Sequence, residues 1–89
     1  HKGMLDEAIE EYEASLRIQP LYAQAHSNLG VAYAEKGWYE KAIVEYKRAL
    51  ELDRRLLKTY RNMADAYMKR GQAKKAREIY EKGRLESLR

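Results

Sequence analysis

The 89-residue chain has no cysteine and no phenylalanine, and only one proline and one tryptophan. Without cysteine there is neither a disulfide framework nor any of the usual cysteine-based zinc sites. One proline, five glycines and no serine-rich or low-complexity stretch leave nothing to act as a linker, so one domain is expected over residues 1–89. No segment reads as a strand, a membrane span or a signal peptide. A cytoplasmic location follows only as the default.

What is present is periodic. Gly3, Gly37 and Gly71 stand 34 residues apart, and so do Ala8, Ala42 and Ala76, and Tyr12, Tyr46 and Tyr80. A unit that buries its apolar face only against copies of itself builds an extended surface rather than an enclosed pocket. Within the unit the spacing is helical. His26, Leu29 and Tyr33 fall at i, i+3, i+7, and Tyr39, Ala42, Ile43, Tyr46, Ala49 and Leu50 form a second apolar stripe. Five helices are predicted, at about 4–18, 21–35, 38–51, 54–69 and 72–87.

Small residues fall where helices must approach closely: Gly30 or Ala64 on the first helix of a unit, Ala8, Ala42 or Ala76 on the second, and Ser15, Ala49 or Gly83 toward the next unit. Gly3, Gly37 and Gly71 each follow a Lys or Arg, as expected of a left-handed C-terminal cap beside a favourable cation. Tyr12, Tyr33, Tyr46, Tyr67 and Tyr80 take core positions, each able to bury its ring and leave its hydroxyl near the surface.

The central unit, with Leu29, Gly30, Tyr33, Gly37, Tyr39, Ala42, Tyr46, Ala49 and Leu50, resembles the tetratricopeptide repeat. The resemblance covers essentially the whole chain: the second half of a repeat at 3–22, a full repeat at 23–56 and another at 57–89. It departs at Met63-Ala64 in place of Leu-Gly, at Ala73 in place of an aromatic, and at Arg54, where Pro20 stood one unit earlier. It implies an all-α, right-handed solenoid of antiparallel helix pairs, about two and a half repeats long, serving as a non-catalytic protein-interaction scaffold. Both ends read as uncapped, which suggests a cut from a longer solenoid or a self-associating chain.

In this family the first helix of each unit lines a concave face. Matched residue by residue, that face receives Gln24, Ser27, Asn28, Val31 and Glu35, then Lys58, Arg61, Asn62, Asp65, Met68 and Lys69. Lys58 and Arg61 offer charge-assisted bonds to an acidic segment, and Val31 and Met68 apolar contact. Some family members clamp acidic C-terminal tails with an Asn in one unit and a Lys plus a second cation in the next. Asn28 and Lys58 match the first two sites. Asn62 stands where the second cation would be, Arg61 is displaced by one residue, and the remaining clamp residues would come from a helix this chain lacks.

Net charge is +4, unevenly spread: −3 over residues 1–22, −1 over 23–53 and +8 over 54–89. A bland solvated surface accounts for such a drift. Two sharper alternatives are head-to-tail stacking of a basic last helix on an acidic first helix, and binding of RNA or another polyanion by the basic half. At the Leu52-Asp53-Arg54-Arg55 junction no proline interrupts the chain. Asp53 is expected to cap the next helix and keep a turn; were the turn to straighten, helices three and four would merge and swap between two chains. Neither a metal nor a cofactor is indicated, since His1 and His26 share no spacing with a carboxylate pair, and His26 reads as a partly buried spacer.

Overall fold

The computed structural model describes residues 2–89; His1 lies outside them. Five helices follow in order: α1 (Lys2–Ile18), α2 (Ala23–Glu35), α3 (Tyr39–Leu52), α4 (Leu57–Lys69) and α5 (Ala73–Ser87). Each packs on the next, and α2 also touches α4, whereas α3 and α5 do not meet among the described residues. The array therefore bends with α2 and α4 on its inner side and the other helices splayed outside. Its extents of 35 × 27 × 17 Å leave no thickness for an enclosed chamber.

The hairpin turns repeat closely. At Gly37 φ is 82° and at Gly71 it is 77°, left-handed values that favour glycine. The Trp38 N–H returns to the Tyr33 carbonyl at 2.9 Å, and Gln72 N–H returns to Tyr67 at the same distance, which closes the last orphan carbonyls of α2 and α4. Gly3 has no such role. It lies within the first turn of α1.

The core joins Ile9, Leu29, Ile43, Tyr46, Met63, Tyr67 and Ile79 around the small residues Ala42, Ala64 and Ala76. Close approach is genuine at two glycines. A Cβ on Gly30 would lie 2.6 Å from Tyr46 Cε1, and one on Gly83 would lie 2.6 Å from Tyr60 Cβ. Gly83 thus permits close contact with α4 inside its own hairpin. Tyr80 also departs from expectation: it is 51% exposed, since among the described residues α5 has only α4 beside it.

The junction after α3 keeps its turn. Asp53 has φ −151° and ψ 95°, which ends the helix, so α3 and α4 do not merge. Asp53 does not cap α4, which begins three residues later than predicted; its Oδ1 accepts the Arg55 N–H at 2.9 Å and folds Arg54–Leu56 into the connection. The expected starts of α2 and α4, at 21 and 54, belong to turns in which the Tyr22 N–H reaches the Gln19 carbonyl at 3.2 Å and the Leu56 N–H the Asp53 carbonyl at 3.3 Å.

Candidate functional site

The inner surface is a trough walled by α2 and α4. Buried at its base, the Ser27 and Thr59 hydroxyls meet at 2.7 Å and hold the two helices together. Ser27, expected on the open face, is only 4% exposed and belongs to this seam. Along the trough run two adjoining recesses of about 410 and 280 Å³, which share Val31 and Asn62.

The larger recess lies at the N-terminal ends of both helices and brings together Gln24, Asn28, Val31, Lys58 and Asn62. Gln24 Nε2 donates to Asn28 Oδ1 at 3.0 Å, which leaves the Asn28 Nδ2 free to donate outward. Arg55, from the turn before α4, joins Lys58 here. No described ion pair engages either cation. Parallel helix N-termini add positive field at this end. The smaller recess lies toward the C-terminal ends and brings together Val31, Glu35, Tyr39, Tyr46, Asn62, Asp65 and Lys69. Burial pushes the Tyr46 hydroxyl up to about 12, with further pushes from the charges of Asp65 and then Glu35. Two carboxylates from opposite walls therefore act on one point.

Of the eleven residues matched to the concave face, Ser27 lies at the buried base, eight line the two recesses, and Arg61 and Met68 do not. Arg61 lies with Tyr80 and Arg84 between α4 and α5, its Nη2 3.5 Å from the Tyr80 hydroxyl. Met68, 57% exposed, lies beside Ala73, Arg77 and Tyr80 on the same flank. At about 100° per residue, positions 61 and 68 face a quarter-turn away from 62 and 69, hence toward α5. Arg55 was missed because the predicted fourth helix absorbed it.

His26 is more than a spacer. Its Nδ1 is 2.8 Å from Glu45 Oε1 and its Nε2 2.8 Å from the Pro20 carbonyl. One repeat later the Tyr60 hydroxyl donates to the Arg54 carbonyl at 3.0 Å. Positions 26 and 60, and 20 and 54, are each 34 apart, so two different rings anchor equivalent turns. On the outer side, Tyr33 donates to Glu13 Oε2 at 2.8 Å, and Lys36 pairs with Asp6. Burial, followed by that bond and the charges of Glu13 and Glu45, pushes the Tyr33 hydroxyl up to about 12. Among the described residues no group of three His, Asp or Glu could hold a metal ion.

A stack of helix pairs with a thirty-four-residue register, closed by left-handed glycines and curved around an open trough, matches the family model described as TPR repeat over residues 1–37 and 32–71. The chain belongs to the tetratricopeptide repeat family. Among solved structures, the Sgt2 TPR domain from Aspergillus fumigatus is 29% identical, with a TM-score of 0.89 over 97% of this chain and 57% of that one. MamA residues 41 to the end from Desulfovibrio magneticus RS-1 is 25% identical, with a TM-score of 0.90 over 96% of this chain and 48% of that one. Another MamA structure is 24% identical, with a TM-score of 0.88 over 96% and 52%, and that likeness bears on the fold alone. The chain thus spans about half the length of these structures. Compared with curated protein sequences, it finds no match. Members of the tetratricopeptide repeat family generally serve as protein-interaction scaffolds. No described helix is long and apolar enough to cross a membrane.

Proposed function

We propose that the trough between α2 and α4 binds a protein segment carrying an acidic group, received at Asn28, Arg55, Lys58 and Asn62. One observation carries this reading: Arg55 and Lys58 have no ion-pair partner among the described residues, beside an Asn28 amide whose donors Gln24 leaves free. Charge-assisted bonds to a carboxylate there are stronger than neutral ones, and Val31 supplies an apolar shelf. The repeat units 3–22, 23–56 and 57–89 are the architecture this reading assumes. Its test is the anisotropy of a short fluorescent peptide rich in Asp and Glu. Lys58→Glu should weaken binding at least tenfold, and Lys74→Glu on α5 should leave it unchanged. Equal loss from both variants, with a steep log-log salt dependence, would point instead to polyanion binding by the basic half.

A second reading is head-to-tail self-association. Exposed Met4, Ile18 and Leu21 accompany the acidic α1, while exposed Met68, Tyr80 and Leu85 accompany the basic α5. Sedimentation across a concentration series decides it. A salt-sensitive oligomer supports the reading, and a monomer at every concentration ends it.

A further inference from the structure

The trough is electrically polar along its length. Arg55 and Lys58 stand at the end where α2 and α4 begin, and Glu35 and Asp65 at the end where they finish. None of these four side chains is engaged in a described ion pair, so both signs are free for an incoming ligand. Lys69 lines the acidic recess as well, but its ammonium is not within ion-pair distance of either carboxylate. The two helices run in the same direction, and their dipoles reinforce the same polarity.

We infer that the trough selects a zwitterionic segment, an acidic residue for the Lys58 end and a basic residue for the Glu35–Asp65 end, held about three positions apart in an extended chain. This rests on the reading above and adds to it the second charge and the spacing. Lys58 and Asp65 are seven residues apart on one helix, about 10 Å at 1.5 Å per residue. An extended segment covers that span in about three residues. Tyr39, Val31 and Ala34 line the acidic recess, so a Lys or Arg stem packs on apolar surface while its head reaches the carboxylates. Tyr46 lines the same recess, and its hydroxyl is pushed up by burial first and then by the charges of Asp65 and Glu35.

Three labelled peptides of equal length test it: Asp and Lys three positions apart, two Asp three positions apart, and Asp and Lys adjacent. The first should bind at least tenfold more tightly than either other. Asp65→Lys should abolish that preference. Lys58→Glu should weaken the first peptide, and the double exchange Lys58→Glu with Asp65→Lys should restore part of its binding in reversed orientation. Both side chains exchanged, Lys58 and Asp65, are exposed, so the fold should be kept, and circular dichroism checks it. If the two-Asp peptide binds as tightly as the first while Lys58→Glu still weakens both, the acidic-segment reading stands and this inference is overturned. If Lys58→Glu changes neither, or no peptide binds, both fall.

Discussion

Ser27 on α2 and Thr59 on α4 share a hydrogen bond of 2.7 Å that is buried from solvent. It joins the two walls of the trough directly, so the width of the trough is set by a polar contact within an otherwise apolar seam. A buried hydroxyl that loses its partner carries the full desolvation cost, whereas removing both partners does not. Ser27→Ala and Thr59→Val should each cost about 1–2 kcal/mol in urea denaturation, and the double variant should be no less stable than the worse single one. Strict additivity would mean the bond does not couple the helices.

Gly30 fixes how closely α2 and α3 pack. Its added Cβ would stand 2.6 Å from Tyr46 Cε1 and 3.2 Å from the Ala42 carbonyl. The overpacking outweighs the better helix propensity of alanine, so Gly30→Ala should destabilise by about 1–2 kcal/mol net. Gly83→Ala meets Tyr60 Cβ, an atom held by its own backbone, and should do the same. A rise in Tm for either would contradict the packing described.

Asp53 holds the turn between α3 and α4 through the Arg55 N–H. Asp53→Ala should cost about 0.5–1.5 kcal/mol in thermal or chemical denaturation, the net worth of one such hydrogen bond. A larger, dimeric species from this variant would show that the turn alone prevents α3 and α4 from joining.

Tyr33 and Tyr46 both have hydroxyls pushed up to about 12 from 10. For a group raised on folding, the stabilisation is complete below pH 10 and is lost as pH climbs through about 12. Absorbance at 295 nm should show these two ionising last in the folded protein. In Tyr33→Phe/Tyr46→Phe the late phase should vanish and the fall in stability above pH 10 should flatten. An unchanged late phase would contradict the burial that causes the shift.

The fold was legible because its signals are local and repeated: a left-handed glycine after each inner helix, small residues at crossings, apolar stripes at helical spacing. The trough was legible in part through the family resemblance, which places Asn28, Lys58 and Asn62 on the inner face of the first helix of each unit. Arg61 and Met68 went astray because one wall of a narrow trough uses less of a helix's circumference than the apparent open face. The anchoring of His26 by Glu45 and Pro20 joins residues 19 and 6 apart and leaves no repeat signature, because its counterpart at Tyr60 uses a hydroxyl.

The most direct measurement of the trough's role is amide NMR of the labelled protein during titration with the peptide rich in Asp and Glu. The account predicts shifts concentrated at Gln24, Asn28, Lys58 and Asn62, saturating together. Shifts running instead along Lys74, Lys75 and Arg77 of α5, or none at all, would contradict it.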